Sequence, residues 1–291
     1  GGGSEYTTGV TTSGTPGNSG AYTQITVASG AATLYYYCTA HSAMGGQANT
    51  NSTSGSSNFS GIIQSNNSAN VDAGFSIATY TGTGSAGTIG HGLSKAPEMV
   101  IAKRRDTSSS NWWVYHKDNT AAPETDGLRL DGTNATTDDN FWNDTAPTSS
   151  LIHLGTYGDV NASGGTYISY AFHSVDGYSK VGSYTGNGST DGPFGYTGFR
   201  PAFVMIKNAS GTGWWTMFDT AREPTNDGSA SVIAAQSSGA ESTELSSSNF
   251  DILSNGFKVG SDNNSSDVNA SGNTYIYIAF AETPFKYSNA R

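Results

Sequence analysis

The chain states one pattern twice, and that duplication limits what it can fold into more than any other feature. Tyr80-Thr81-Gly82-Thr83-Gly84-Ser85 returns 104 residues later as Tyr184-Thr185-Gly186-Asn187-Gly188-Ser189, and Pro97, Val100 and Lys103 return at the same offset as Pro201, Val204 and Lys207. Trp112-Trp113 finds its echo in Trp214-Trp215. Asn161-Ala162-Ser163-Gly164 with Thr166-Tyr167-Ile168 comes back as Asn269-Ala270-Ser271-Gly272 with Thr274-Tyr275-Ile276. A match kept in order over about a hundred residues marks a duplicated structural unit. The expectation is two units that superpose strand for strand, with Tyr80 and Tyr184 in equivalent positions. Their buried sets should include Val100 and Tyr170 in the first, and Val204 with Tyr277 or Ile278 in the second.

Composition says what kind of unit is repeated. Charged residues are 12% of the chain, while 38 Gly and abundant Ser, Thr and Asn punctuate it, which is the profile of short strands joined by tight turns. With 35% hydrophobic residues, including 16 Tyr, 12 Phe and 5 Trp, there is enough apolar material for β-type cores. An all-β fold follows. The net charge of −10, with 13 scattered Lys and Arg, repels a phosphate backbone, so nucleic acid is excluded as a partner. No apolar run approaches the roughly 20 residues that span a bilayer, and no leader opens the chain, so a soluble protein without membrane insertion is expected. A single Cys allows no intrachain disulfide, which leaves stability to packing, ions or partner chains.

Along the chain the expected division is 1–50, a Gly- and Thr-rich module ending in the strand Thr33-Leu34-Tyr35-Tyr36-Tyr37; 51–72, a Ser/Asn-rich linker; 73–175 and 176–285, the two repeats; and 286–291, a tail. Each repeat carries a strand at its Tyr-Thr-Gly turn and one at Met99–Lys103 or Phe203–Lys207. A third lies at the Trp pair, and a closing aromatic strand follows at Tyr167–Phe172 or Tyr275–Phe280. Roughly six to eight short strands per repeat suit an antiparallel β-sandwich. No helical period stands out beyond a single turn at Glu241–Leu245.

The sharpest chemical pattern is Cys38-Thr39-Ala40-His41-Ser42-Ala43-Met44, a thiol, an imidazole and a thioether delivered from one loop after a strand. Those are the soft ligands of a blue-copper centre. The segment resembles the ligand loop of cupredoxins, which implies a partial Greek-key module over residues 1–50 with Cys38, His41 and Met44 as metal ligands. It departs from that family in having no His upstream of Cys38. Copper would need a His from an upstream segment or a partner chain, so no cofactor is expected, and Tyr35 or Tyr37 should hold the loop by packing alone.

Tyr178-Ser179-Lys180 through Ser189, Gly198-Phe199-Arg200-Pro201 through Lys207, Leu253-Ser254-Asn255-Gly256-Phe257-Lys258, and Thr274 to Phe285 carry a second likeness. They resemble a domain of unknown function found in structural and fibre proteins of marine bacteriophages. That resemblance implies a lectin-like jelly roll, no assigned activity, and an architecture that joins these repeats to the Cys-His-Met segment.

Catalysis finds little support. Jelly-roll glycanases set two carboxylates across a groove, yet Glu98 and Glu282 border strands singly and Glu241 and Glu244 sit in a Ser-rich loop. No Gly-x-Ser-x-Gly elbow stands between a strand and a helix. Binding has better candidates in Trp112, Trp113, Trp214 and Trp215. Adjacent strand residues face opposite ways, so one indole of each pair can stack on a sugar or seat a partner while the other is core; burial of both is the competing expectation. His91, His116, His153 and His173 share no ligand spacing. Asp138-Asp139-Asn140 with Asp144, and Asp262-Asn263-Asn264 with Asp267, offer oxygen ligands for calcium, but without the spacing of a helix-flanked loop they read first as solvated turns.

The sequence therefore points to a non-enzymatic structural subunit of a phage particle, a tail fibre, appendage or capsid decoration, at the virion surface or outside the cell. Its partners would be copies of itself and other virion proteins. A receptor- or carbohydrate-binding adhesin that takes a host-surface glycan is the alternative.

Overall fold

The protein is all-β and antiparallel, because its strands alternate or exclude water as a pleated sheet requires. The structure, a computed structural model, describes residues 4–26, 34–38, 45–48, 56–226, 231–241, 250–260 and 266–283. The chain divides into two units, Gly1–Ser56 and Ser57–Arg291.

The first unit holds two hairpins. Strand β1 (Val10–Ser13) pairs with β2 (Tyr22–Ile25), and β3 (Leu34–Tyr37) pairs with β4 (Gly45–Ala48). The strand expected at Thr33–Tyr37 is thus present as β3. No side chain described in this unit is buried.

In the second unit the first half contains β5 (Ser56–Asn58), β6 (Ser65–Asn70), β7 (Phe75–Thr81), β8 (Gly87–Gly90), β9 (Met99–Arg104), β10 (Trp112–His116), β11 (Asp126–Arg129), β12 (Thr137–Asp138), β13 (Leu151–Leu154) and β14 (Thr166–Phe172). Eight of them form one sheet in the order β12-β11-β10-β9-β14-β7-β6-β5, and β13 and β8 pair separately. Between the two layers lies a core of Tyr80, Ile89, Val100, Trp113, Trp142 and Tyr167 with their neighbours. The second half contains β15 (Ser179–Thr185), β16 (Phe194–Tyr196), β17 (Pro201–Asn208), β18 (Trp215–Asp219), β19 (Ile233–Ala234), β20 (Phe250–Leu253), β21 (Gly256–Val259) and β22 (Thr274–Ala281). Here a five-stranded sheet, β15-β22-β17-β18-β19, lies over a three-stranded one, β16-β21-β20, around Phe199, Val204, Phe218, Phe257 and Tyr275.

Residues 51–72, expected as a linker, behave otherwise in their described part. Strand β6 pairs residue for residue with β7, from Ser65 opposite Tyr80 to Asn70 opposite Phe75. Ser65 Oγ and Asn67 Nδ2 both donate to Gly90 O, at 2.7 and 2.8 Å, and Ile63 is buried in the first core. Composition misleads here because the polar side chains find internal acceptors, so one apolar anchor is enough.

The two large sheets pack against each other. Met99, Ile101, Val114 and Leu128 of the first half meet Val181, Met205, Trp215, Ile276 and Ile278 of the second in one continuous apolar cluster. The equivalent closing-strand residues Phe172 and Phe280 touch edge to face across this seam, ring centroids 6.3 Å apart. The same face of each sheet is turned inward, as in an isologous dimer joined into one chain. Burial on both faces explains the unbroken apolar runs Met-Val-Ile-Ala in β9 and Tyr-Ile-Tyr-Ile-Ala in β22. Val100, Val204, Tyr277 and Ile278 are buried as expected, whereas Tyr170 is only half-buried, packed at the margin of the seam.

Candidate functional site

The paired tryptophans are the residues on which a binding function would rest, and strand pairing corrects their alignment. Lys103 lies opposite Trp112 in the first half, and its counterpart Lys207 lies opposite Trp215 in the second. The side-chain carboxylate of Asp159 accepts the backbone N–H of Asn111 at 3.0 Å, and that of Asp267 accepts the N–H of Trp214 at 2.7 Å. Trp215 is therefore the equivalent of Trp112, Trp214 of Asn111, and Thr216 of Trp113. The connection from β17 to β18 is one residue shorter than that from β9 to β10, so matching the Trp-Trp words by identity slips the register by one, and a one-residue slip exchanges the two faces.

Both faces of these strands are occupied. Trp113 is in the first core, where its Nε1 donates to Asp159 Oδ2 at 3.0 Å and its ring packs on Phe141, centroids 4.1 Å apart. Trp215 is buried in the seam, with Nε1 donating to Arg129 O at 2.7 Å. Trp112 is half-buried at the rim of the seam, stacked on Tyr170 and approached by Lys103 Nζ. It lines an open hollow of about 270 Å³ with Leu130, Asp131 and Ala235. Trp214, 37% exposed, precedes its strand and is outside both cores.

A polar knot that the sequence showed only as repeated words joins the ends of each repeat. Tyr80 Oη donates to Val160 O and Tyr184 Oη to Val268 O, each at 2.7 Å. Tyr80 stacks on Tyr167 and Tyr184 on Tyr275, both at 5.1 Å. Asn161 Oδ1 accepts the Thr83 N–H while its amide donates to Ser85 O and Gly155 O. Asn269 repeats the arrangement with Asn187 N–H and Ser189 O. Gly82 and Gly186 are needed there because a Cβ would meet the carbonyl oxygens of Ala162 and Ala270 at 2.4 and 2.2 Å. The signal that could have found Asn161 and Asn269 was their recurrence inside a matched word.

Buried ionisable groups serve the seam. His116 is fully buried; its Nδ1 accepts the Asp118 N–H at 3.2 Å, so its Nε2 carries the proton and donates to Tyr277 O across the seam at 3.3 Å. Burial pushes its pKa down to about 4. Lys207 is fully buried as well, with Nζ donating to Gly213 O at 2.9 Å and to Thr133 O of the first half at 3.1 Å, and desolvation lowers its pKa to about 8. Glu98 would be raised by burial, but hydrogen bonds from Lys117 and Ser174 outweigh this and hold it below the ordinary carboxylate range.

The remaining candidates separate. Cys38 is half-buried just after β3; His41 and Met44 lie outside the described residues. Tyr35 is 72% exposed; the Tyr37 side chain and the loop that these tyrosines are expected to hold, residues 39–44, lie outside the described part. Asp138, Asp139 and Asp144 are exposed, with Asn143 and Asp144 at φ of 55° and 46° in a left-handed turn. Asp262, Asn263 and Asn264 are outside the described residues. Among those described, no three His, Cys, Asp or Glu side chains cluster to hold a metal. The strand-border carboxylates Glu98 and Glu282 pair with Lys117 and Arg200, and the loop carboxylate Glu241 pairs with Arg222. His91 is buried, with its Nδ1 accepting the Leu93 N–H and its Nε2 donating to Thr148 O, while His173 Nδ1 meets Ser174 O. His153 is half-buried, and burial lowers its pKa.

A family model described as a domain of unknown function, DUF7483, matches residues 47–284. No curated protein and no solved structure matches the chain.

Proposed function

The chain belongs to the DUF7483 family, and we propose for it a non-enzymatic structural role as a subunit of a phage particle, at the virion surface or outside the cell. The seam carries this reading: two repeats that could have stayed flexibly linked bury an apolar sheet face of each against the other. Trp113, Trp215, His116 and Lys207 are all closed into packing and hydrogen bonds. The link to a phage rests on the likeness of the repeated words to marine bacteriophage fibre proteins. Mass spectrometry and cryo-electron microscopy of purified particles test it. The chain should be present at fixed stoichiometry, and its absence from particles would refute the assignment.

One observation favours a second reading, a carbohydrate-binding adhesin. An indole beside a carboxylate in an open hollow, as Trp112 and Asp131 are, suits a sugar ring and its hydroxyls. Under that reading Asp131→Asn and Trp112→Ala abolish glycan binding, and the Asp131→Asn protein keeps its stability. Retained binding in both variants rules out this hollow.

A further inference from the structure

We propose that the hairpins β1–β2 and β3–β4 form the surface through which copies of this chain assemble, a proposal that rests on the structural-subunit reading. Folded units of this size bury side chains, yet none of the described side chains in Gly1–Ser56 is buried. Strands β1 and β2 pair only with each other, and β3 only with β4, among the described residues. A lone two-stranded hairpin is marginal in water. These two nevertheless expose Tyr22, Ile25, Tyr35 and Tyr36, and among the described residues no further strand pairs with their outer edges, whose N–H and C=O groups can accept another strand.

Charge identifies the partner. Residues 1–56 contain one formally charged residue, Glu5, so of the total of −10 the rest of the chain carries −9. Two copies repel each other through residues 57–291 and meet without repulsion through residues 1–56. Nucleic acid, a basic protein or an anionic membrane would select a segment by its charges, and this one has almost none to offer. Hydroxyl-rich strands with free edges and exposed Tyr and Ile match a second copy of themselves, by edge pairing and by stacking of like rings.

Sedimentation equilibrium of the full chain across a concentration series tests this. The wild type should sediment at a multiple of 30.1 kDa. In the full chain, Ile25→Asp combined with Tyr36→Asp should sediment as the 30.1 kDa monomer with the main thermal transition unchanged. The conservative pair Ile25→Val and Tyr36→Phe should keep the oligomer. A wild type that is monomeric throughout, or an Asp variant that still associates, overturns the proposal. A monomeric chain that is nonetheless found in particles overturns this inference alone, whereas absence from particles overturns the structural reading beneath it.

Discussion

Trp214 and Trp215 are neighbours in sequence with opposite surroundings, and the difference can be measured. Trp215→Ala empties a fully buried site in the seam and removes the bond to Arg129 O, so it should cost about 3–5 kcal/mol in urea unfolding. Trp214→Ala should stay within about 0.5 kcal/mol, as exposed substitutions do. Equal effects would show that the register assigned from Lys207 is wrong. His116 supplies a pH dependence. Its folded pKa of about 4 lies below the ordinary 6.5, so between these values the unfolded chain binds the extra proton. Its contribution is complete above pH 6.5 and is lost as pH falls toward 4, on the order of 3 kcal/mol in all. Lys117 and Glu98 are the charged groups acting on it, and Glu98, held below its usual range, adds loss in the same direction at lower pH. His116→Phe should flatten the decline between pH 6.5 and 4; an unchanged slope would place the titration elsewhere. Sequence alone marked the tryptophans and left His116 as an ordinary histidine, because its partner, the Tyr277 carbonyl, is 161 residues away.

At the scale of elements, the two repeats share strands but finish their edges differently. Strand β7 is covered along Phe75–Tyr80 by β6, a segment outside the repeat. The equivalent strand β15 is capped by the preceding turn, where Ser174 Oγ accepts the Val181 N–H and Val175 exchanges backbone bonds with Ser179. The sequence showed β7 and β15 as equals, since the covering strand is polar and falls outside the duplicated words. Strands β14 and β22 are paired on both sides, each between two neighbours. Their amides should therefore be the slowest to exchange with deuterium, with those of the two-residue strands β12 and β19 among the fastest. Fast exchange in β22 would contradict the central position given to it.

For the whole molecule, the seam decides whether the halves are two domains or one. A shared apolar cluster of this kind couples their unfolding, so the Ser57–Arg291 unit should melt in one cooperative transition. Met205→Asp places a carboxylate among Ile101, Val114 and Ile278 without touching the inner core of either half, and should destabilise both halves together by about 3 kcal/mol or more. Calorimetry showing two separate transitions, with only one shifted by the substitution, would mean that the seam does not hold them as one body.

The residues by themselves determined the β class, the strands at Met99–Lys103, Phe203–Lys207, Tyr167–Phe172 and Tyr275–Phe280, and the like positions of Tyr80 and Tyr184, because these depend on local alternation, turn chemistry and repeated words. Only the tertiary structure decided what covers the second face of β9 and β22, that Trp112 corresponds to Trp215, that Ser56–Asn58 and Ser65–Asn70 are strands at one end of the eight-stranded sheet, and that His116 and Lys207 are buried. The physical reason is that a pattern along the chain records whether a side chain leaves water, while the identity of its neighbour is set by contacts between residues far apart in sequence, which no local period encodes.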